Sequence, residues 1–420
     1  MSTTFYDDAV ETASSQPIQF DFRTLLVTVG LVAIGLISIY SATYDAGASS
    51  YFTSQLVFAI AGLGAMLTIA FIPERLVRLS VLPLYGLGML LLAVVLVIGT
   101  RTNGAKSWIN LGALSIQPSE LAKFGTLMMC ALFVSREGKD LGNWRDLGTV
   151  IGIVFMPIAL IMLEPDFGSS SVYCMMLLGV ALWAGADLFL LFAIVAPAFV
   201  AIAGFFGQTQ MFIALGVVLF IMLLFRRSVL VTALGFLLSV GVGFSAGYAY
   251  DHVLQPHQQK RIQTFLDPNL DPKGSGYHVI QSMLAVGSGG LTGKGFLRGT
   301  QTQLRYIPEQ WTDFIFCVPT EEFGFVGGVL VISLLVALIW FAIDTASHLR
   351  NKFESTICVG IATIFLYHMT INIGMATGLV PVMGIPLPFL SKGGSSLLLN
   401  MSMIGLLLNF YRYRTDVRRL

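Results

Sequence analysis

Residues 287–295 read GSGGLTGKG and lie within a long polar segment, residues 249–321, that interrupts an otherwise apolar chain. On both sides of this segment the sequence consists of apolar runs, and hydrophobic residues make up 55% of the 420 residues, with a mean hydropathy of +0.80. A soluble domain is much more polar, and apolar runs of about 18 residues or more are long enough to cross a membrane as helices. The sequence therefore predicts an all-α, polytopic membrane protein whose polar segment lies outside the membrane.

We predict twelve membrane spans in a single membrane domain, residues 21–420, preceded by a disordered cytoplasmic tail, residues 1–20. The tail lacks the positively charged start and short apolar core of a signal peptide. The polar segment, residues 249–321, is predicted to be a large extracytoplasmic loop before the last three spans. The twelve spans are 24–43, 52–72, 79–99, 117–135, 148–163, 168–185, 188–206, 210–225, 229–248, 322–344, 354–376 and 388–410.

The Lys and Arg residues indicate the orientation of the chain. If the N-terminus is cytoplasmic, most basic clusters and the C-terminus fall on the cytoplasmic side, as the positive-inside rule requires. Two outer segments break the rule: residues 100–116, with Arg101 and Lys106, and the polar segment. We interpret their cations as candidate anion-binding groups, with ordinary solvated cations as the alternative. The cytoplasmic cations are Arg23, Arg75, Arg78, Arg136, Lys139, Arg145, Arg226, Arg227, Arg350, Lys352 and the arginines of residues 412–419.

Net charge and cysteine spacing exclude other classes of protein. The formal net charge is +1, which is too small for a protein that binds nucleic acid through bulk electrostatics. The cysteines do not lie at metal-ligand spacing, so we predict neither a zinc site nor a disulfide framework. We predict no cofactor, and the residues leave a divalent cation open. The four cysteines are Cys130, Cys174, Cys317 and Cys358.

The loop before the fourth predicted span leads into a carboxylate and a cation in helical register. Pro118 suits a helix start, and Glu120 and Lys123 follow at a spacing that places them on one helix face. An unpaired charge near the membrane boundary is costly, so we expect them to pair with each other or with a third group. The pair could be catalytic or structural. Trp108 in the loop could be an interfacial anchor or a substrate platform.

The polar segment contains two further candidates for chemistry. Asp313 lies between Trp311 and an apolar run, and an apolar environment raises the pKa of a carboxylic acid toward that of a usable general base. A helix-capping aspartate is the alternative. The glycine-rich run 287–295 could bind an anion through its backbone N–H groups, with Lys294 and Arg298 beside it, although such runs are more often turns.

Residues 372–396 read NIGMATGLVPVMGIPLPFLSKGGSS and combine three prolines with repeated glycines at a predicted membrane boundary. This composition predicts non-helical backbone, which is tolerated at that depth only when it is buried in protein or lines a wet cavity. The segment is therefore predicted to form the re-entrant wall of a polar pocket, and Ser391 in it is a candidate substrate-binding residue.

The 372–396 motif resembles the signature of the SEDS proteins (shape, elongation, division and sporulation) at almost every position. The resemblance extends over nearly the whole chain from about Phe22, and residues 276–282, GYHVIQS, look like the RodA branch of the family rather than the FtsW branch. The other motifs that carry it are GAKSW (104–108), QPSE (117–120), PDFG (165–168), TDFIF (312–316) and GSGGL (287–291).

This resemblance implies a peptidoglycan glycosyltransferase of the bacterial cytoplasmic membrane that polymerises lipid II on the outer face, for elongation and rod shape. It also implies a lipid-linked nascent glycan as second substrate and a class B penicillin-binding protein as partner. The family's essential aspartate corresponds to Asp313, and its active-site glutamate and lysine to Glu120 and Lys123. Candidate groups for the leaving pyrophosphate are Arg101, Lys106, Lys294 and Arg298.

Three features depart from the family pattern. The family usually has ten spans, whereas we predict twelve, with an additional pair between about 188 and 248. Lys392 replaces a Tyr, Ser or Ala, and Pro319 interrupts the run after Asp313, so the helix there is expected to start late or kink.

Two other classes of function compete with the glycosyltransferase. A lipid II flippase would also contain polar intramembrane residues and broken helices, but it needs a charged site that both sides of the membrane can reach. The sequence instead places its carboxylate and cations on one side. A scaffold without catalysis would leave Glu120, Lys123 and Asp313 unexplained.

Overall fold

The structure, a computed structural model, describes residues 20–44, 49–102, 105–111, 114–252, 254, 256–267, 274–304 and 306–412. Helices dominate these ranges, as predicted for an all-α membrane protein. The predicted disordered tail, residues 1–20, lies outside the described residues except for Phe20.

The first part of the chain alternates long helices with one small sheet. Three strands that follow the third helix, β1 (Thr100–Thr102), β2 (Ala105–Leu111) and β3 (Leu114–Ile116), form an antiparallel sheet in the order β1-β2-β3. The helices are α1 (Phe22–Thr43), α2 (Ser49–Phe71), α3 (Glu74–Ile98), α4 (Pro118–Val134), α5 (Trp144–Leu163), α6 (Phe167–Trp183), α7 (Leu188–Phe205), α8 (Gln208–Leu224) and α9 (Val229–His252).

The second part contains four short helices and three long ones. Non-helical residues 378–393 separate the last two helices. The short helices are α10 (Pro256–Leu266), α11 (Ser275–Ser288), α12 (Thr300–Gln303) and α13 (Cys317–Glu322), and the long ones are α14 (Gly324–His348), α15 (Lys352–Ala376) and α16 (Gly394–Tyr411).

Each of the twelve predicted spans coincides with a helix. Within the described ranges, nine helices are long and apolar enough to cross a membrane, and α6 and α8 are shorter apolar helices. Twelve crossings therefore stay a prediction. The boundary predicted at residue 388 is wrong, because α16 begins only at Gly394, after the proline-containing segment. The boundary predicted at residue 79 is also late, since α3 begins at Glu74, directly after Pro73.

The predicted large loop, residues 249–321, is largely helical. α9 continues to His252, and α10 to α13 follow within the segment. α10 is polar in composition but begins with Pro256, which is favourable at the first helical position. Pro319 lies inside α13, which ends at Glu322, and α14 starts anew at Gly324, where φ is +66°. The helix after Asp313 therefore begins at Cys317, before Pro319, and does not start late because of that proline. The interruption lies at Phe323, between α13 and α14.

The packing places α4 at the centre of the bundle. Most residues of α4 are buried, and two close approaches hold it: Gly88 of α3 lies against Ala122, and Gly360 of α15 lies against Leu127. The helices α7, α8 and α9, among which the additional pair is predicted, form a separate apolar cluster around Val200 and Met222. The end of the bundle where α4 begins is called the site end below, and the end where α4 finishes is called the opposite end.

Candidate active site

The predicted pair on α4 forms, and it has a third member. Lys123 Nζ lies 2.9 Å from both carboxylate oxygens of Glu120 and 3.4 Å from Nε2 of His368 on α15. All three side chains are buried, with exposed fractions of 2% for Lys123, 6% for Glu120 and 2% for His368. An ammonium group has three donors and no acceptor, so this geometry satisfies Lys123 completely.

His368 links the buried pair to the non-helical segment 378–393. Because Lys123 can only donate, Nε2 of His368 must accept, and Nδ1 therefore carries the proton. Nδ1 donates to the carbonyl of Pro386 at 3.0 Å. The imidazole thus connects the α4 ion pair to the backbone of this segment.

One helical turn further along α15, Asn372 makes the next connection. Its Nδ2 donates to the carbonyl of Ile385 at 2.8 Å and to the carbonyl of Asp313 at 2.9 Å. His368 and Asn372 therefore hold two consecutive carbonyls, of residues 385 and 386, from one face of α15. This buried backbone is satisfied by protein groups, as the sequence predicts for a non-helical segment at membrane depth.

A second set of hydrogen bonds fixes the backbone around Asp313. Ser391 Oγ donates to the carbonyl of Thr312 at 2.6 Å, and the Lys392 N–H donates to the carbonyl of Trp311 at 2.8 Å. Together with Asn372, these contacts hold three successive carbonyls, of residues 311 to 313. The position of Asp313 is therefore set by its backbone.

The carboxylate of Asp313, in contrast, makes no hydrogen bond or ion pair with any part of the chain that the structure describes. Gly384 lies beside it with φ of +71°, and a Cβ there would be 3.8 Å from Asp313 Oδ2. Any side chain at 384 would strain the backbone and fill the space next to the carboxylate. The local geometry keeps one side of Asp313 open.

The environment makes this carboxylate more basic than an ordinary aspartate. Burial and, to a smaller extent, the negative charge of Glu309 raise the pKa of Asp313 from 3.8 to about 6, and Arg261 on α10 opposes the increase. A base with a pKa near the operating pH is well suited to accept a proton during reaction. This basicity suits the predicted role of Asp313 as a general base, which stays a prediction.

Two of the predicted substrate-binding residues have other roles in the structure. Ser391 is 5% exposed, and its hydroxyl accepts from the Leu387 N–H while donating to Thr312, so it holds backbone. Lys294 Nζ contacts Glu321, Ser288 and Thr300, each at 2.7 Å, which uses all three of its donors. Both side chains are therefore engaged in contacts within the chain, and substrate binding by either residue stays a prediction.

The glycine-rich run also has a packing role. A Cβ at Gly289 would lie 2.0 Å from the carbonyl oxygen of Thr320, and one at Gly293 would lie 2.1 Å from that of Glu322. The glycines allow the run to lie directly against α13. The N–H groups of Lys294 and Gly295 donate to the carbonyls of residues 321 and 322. Those N–H groups are consequently not available to an anion.

The remaining predicted cations lie around the site end. Arg298 is exposed, and Lys106 and Trp108 are half-buried on β2. Arg101 is a residue of β1, and its side chain is outside the described part of the structure. The described residues contain no group of three or more His, Cys, Asp and Glu side chains that could hold a metal ion.

Sequence reasoning missed three residues of this site. His368 and Asn372 are polar residues four positions apart in an apolar span, and such residues indicate function or internal pairing in a membrane helix. That spacing could have identified them. Arg261 lies in the polar segment 249–321, and its effect on Asp313 depends on the docking of α10, where Gln258 Nε2 donates to the carbonyl of Pro165 at 3.3 Å.

The fold and this site together define a polytopic helical membrane protein with a polar site at one membrane boundary. Comparison with known proteins specifies the family. The chain matches the FtsW, RodA and SpoVE family, described as cell cycle proteins, over residues 18–213 and 206–416. It therefore belongs to this family, the SEDS proteins.

Named relatives match over nearly their full length. The chain is 34% identical to the peptidoglycan glycosyltransferase RodA of Treponema pallidum over 93% of this chain and 97% of the relative. It is 37% identical to stage V sporulation protein E of Bacillus subtilis, with 94% and 97% covered. It is 32% identical to the peptidoglycan glycosyltransferase MrdB of Escherichia coli K12, with 94% and 95% covered.

Solved structures have the same fold. A chain from a study of how a peptidoglycan synthase complex coordinates polymerization and crosslinking is similar with a TM-score of 0.69 and 29% identity, covering 95% of this chain and 100% of that chain. The rod shape determining protein RodA of Thermus thermophilus has a TM-score of 0.62 and 24% identity, with 95% and 99% covered. At 24% identity, the similarity to the Thermus thermophilus protein shows only that the two chains share a fold.

Proposed function

We propose that the chain is a peptidoglycan glycosyltransferase that polymerises lipid II during cell elongation and thereby maintains rod shape. The observation that carries this proposal is the environment of Asp313, namely its hydrogen bonds and its pKa. Its backbone is held by Asn372 and by its neighbours' hydrogen bonds, while its carboxylate has no partner among the described residues and its pKa is raised to about 6. The named relatives RodA and MrdB, which match over almost their whole length, support the same activity.

In the proposed reaction, Asp313 accepts the proton of a sugar hydroxyl on the acceptor. The hydroxyl oxygen forms a bond to the anomeric carbon of the donor, and the bond from that carbon to the lipid-linked pyrophosphate breaks. The pyrophosphate leaves with the electron pair, and nearby cations stabilise its charge. One substrate is lipid II, and the other is a second lipid II or the lipid-linked nascent glycan. No cofactor is invoked.

The buried pair has a positioning role in this proposal. The charged groups that shift the pKa of Asp313 are Glu309 and Arg261, so Glu120 and Lys123 do not act on it mainly through charge. They act through His368, which holds the Pro386 carbonyl beside the segment that borders Asp313. Candidate cations for the pyrophosphate are Arg261, Lys106, Arg298 and Arg101.

A class B penicillin-binding protein is the proposed partner, and crosslinking of the new glycan is its task. The similar chain from the peptidoglycan synthase complex, in which polymerization and crosslinking are coordinated, supports this assembly. Binding of a partner to the membrane domain would couple polymerisation to crosslinking.

We further propose that the chain lies in the bacterial cytoplasmic membrane with both termini in the cytoplasm and the site end outside. The distribution of Lys and Arg supports this orientation. A cysteine introduced at Ser275 should react with an impermeant reagent added to intact cells, and one introduced at Ser228 should not. Labelling at 228 alone would reverse the orientation.

The decisive experiment uses purified protein and fluorescent lipid II in detergent, with and without the penicillin-binding protein. Formation of glycan polymers is expected, and Asp313→Asn should prevent it. A flippase moves lipid II between leaflets and makes no polymer in micelles, so absence of product with the partner present would favour the transporter. The flippase alternative also predicts transport in vesicles that does not depend on Asp313.

A further inference from the structure

A second polar cavity lies at the opposite end of the bundle from Asp313. It has a volume of about 250 Å³ and is bordered by residues at or near the ends of four helices: Val134 of α4, Trp183 of α6, Leu349 after α14 and Lys352 of α15. α4 separates it from the site described above, because Glu120 is in the first turn of that helix and Val134 is its last residue. This cavity is called the basic pocket below.

Three cations line the basic pocket: Lys139, Arg350 and Lys352. Lys139 is paired with Asp146 at 2.8 Å, but Arg350 and Lys352 are exposed and make no ion pair with a described residue. The described lining includes no Asp or Glu. Two cations beyond the internal pair therefore face a cavity that offers them no counter-charge, and such a cavity attracts an anion.

The wall of the pocket is fixed by internal hydrogen bonds. Ser355 and Thr356 line it from the first turns of α15. Trp183 Nε1 donates to Ser355 Oγ at 2.8 Å, and Ser355 Oγ donates in turn to the carbonyl of Ala346 at 2.8 Å, which fixes the indole at the pocket edge. The pocket thus combines cations with an anchored aromatic ring.

The surface beside the pocket is apolar. Trp183 is 41% exposed and its neighbour Leu182 is 52% exposed, at the C-terminal end of α6, one of the shorter apolar helices. Leu188, the first residue of α7, follows shortly after Trp183 in the chain and is 59% exposed. Trp at a membrane boundary commonly lies at the depth of lipid headgroups. An occupant that is charged at one end and apolar at the other fits both surfaces.

We propose that the basic pocket binds the phosphate of an anionic phospholipid headgroup, with the acyl chains lying along the exposed side chains of α6 and α7. Basic pockets between transmembrane helices on the cytoplasmic side are known to hold such headgroups. The predicted orientation places this pocket in the cytoplasmic leaflet. The binding site neither contacts nor requires the residues proposed for glycan polymerisation.

The test is lipid retention by the whole purified protein. The chain is released from nanodiscs that contain phosphatidylglycerol and phosphatidylcholine with identical acyl chains, and native mass spectrometry counts the lipids that remain bound. Preferential retention of phosphatidylglycerol is expected. Arg350→Gln with Lys352→Gln should weaken it about thirtyfold, because each cation near an anionic lipid surface is worth about a factor of five in binding.

Two further variants control this measurement. Arg23→Gln with Arg75→Gln removes the same charge from exposed residues at the predicted cytoplasmic boundary that do not line the pocket, and retention should be unchanged. Arg350→Lys with Lys352→Arg keeps the charge and should retain the lipid. Equal loss in the pocket variant and in the Arg23 and Arg75 variant would overturn the proposal, because charge alone would then explain binding.

A final arm distinguishes a lipid from a soluble anion. Inorganic phosphate at millimolar concentration is added to the protein in detergent before the lipid. If the basic pocket binds a lipid, phosphate should reduce the later binding of phosphatidylglycerol only slightly, since phosphate lacks the acyl chains. Phosphate binding that depends on Arg350 and Lys352, without any preference between the two lipids, would overturn the lipid assignment in favour of a soluble phosphate ligand. Polymerase activity is not a readout in any arm.

Discussion

Two carboxylates at the site end, Glu120 and Asp313, differ in whether they have a partner. Glu120 is buried and accepts two hydrogen bonds from Lys123, which is itself satisfied by His368. Asp313 is held through its backbone, and its carboxylate has no partner in the described residues. A fully paired carboxylate stabilises one arrangement of helices, whereas an unpaired one is available to exchange a proton with a substrate.

This difference has opposite consequences for stability. Removing one member of a buried ion pair leaves the other uncompensated, which is costly. Asp313 is the reverse case, because burial raises its pKa and so the folded protein disfavours the ionised form. Its contribution to stability is present at low pH and is lost as the pH rises through about 6. The reactive carboxylate therefore lowers stability at neutral pH.

The largest effect is expected for Asp313→Asn. This variant should lower the polymerisation rate roughly 100- to 10,000-fold, because a lost general base typically costs that much. Its thermal stability at pH 7.5 should equal or exceed that of the parent, since a destabilising charge is removed. The measurement is the initial rate with fluorescent lipid II, together with a melting curve of the same preparation.

Glu309→Gln is the matched control for Asp313→Asn. Glu309 is an exposed carboxylate four residues earlier, whose negative charge raises the pKa of Asp313 and whose Oε2 accepts from Thr312 Oγ1 at 3.3 Å. The variant should keep most of the activity. Comparable losses in the two variants would mean that negative charge near the site, and not a base at Asp313, is what the reaction needs.

The second prediction concerns the paired carboxylate. Lys123→Ala should lower stability by about 3 to 5 kcal/mol, because Glu120 is left as an uncompensated buried charge. The polymerisation rate of this variant should also fall strongly. Glu120→Ala combined with Lys123→Ala should cost less than the two single losses added together, since no charge is then stranded. Initial rates against lipid II concentration and melting curves for all four proteins complete the cycle.

The double-mutant cycle separates positioning from direct substrate contact. If Lys123 contacts pyrophosphate, the double variant should be at least as poor as Lys123→Ala, and affinity for lipid II should fall with the rate. If the pair positions the segment around Pro386, the double variant should recover stability and part of the rate. Near-parental rates in all four proteins would remove the pair from the mechanism.

The contrast between the two carboxylates could be predicted from sequence only in part. The spacing of Glu120 and Lys123 on one helix face predicts that they pair, and the apolar run after Asp313 predicts a raised pKa; both features are local. The third partner, His368, is 245 residues from Lys123 and comes from the packing of α15 on α4. No local sequence pattern specifies which buried cation a histidine will contact in the folded protein.

The long helices follow from the sequence more directly than the short ones. The membrane requires long apolar runs, so runs such as residues 24–43 identify their helices without knowledge of packing. The helices α10 to α13 lie in a polar segment, where composition alone favours a loop. The contacts of Lys294 could not be predicted for a related reason, because the glycines beside it allow close packing against α13, and that packing is not visible in the run itself.

A smaller effect is expected for His368→Phe. The ring keeps its approximate shape, but Lys123 loses one acceptor and the Pro386 carbonyl loses its donor. Leaving buried polar groups unsatisfied costs about 1 to 3 kcal/mol. The rate should fall while the affinity for lipid II changes little. Tyr367→Phe, on the same helix but outside this connection, is the control, and an equal loss there would indicate a general effect on α15.

The smallest effect, and the sharpest test of the unpaired carboxylate, is on the pH profile. Only ionised Asp313 can accept a proton, so kcat/KM should fall as the pH drops through about 6 and should be level above it.

Two charge variants should displace this profile in opposite directions. Glu309 raises the pKa of Asp313 and Arg261 lowers it, so Glu309→Gln should move the midpoint of the profile to lower pH and Arg261→Gln should move it to higher pH. Each displacement should be less than about one pH unit, because charges near the surface interact weakly and are screened by salt. Rates are measured from pH 5 to 8 at two salt concentrations. Opposite displacements that shrink at high salt would identify Asp313 as the titrating base, whereas a common direction or a fixed midpoint would assign the profile to another group.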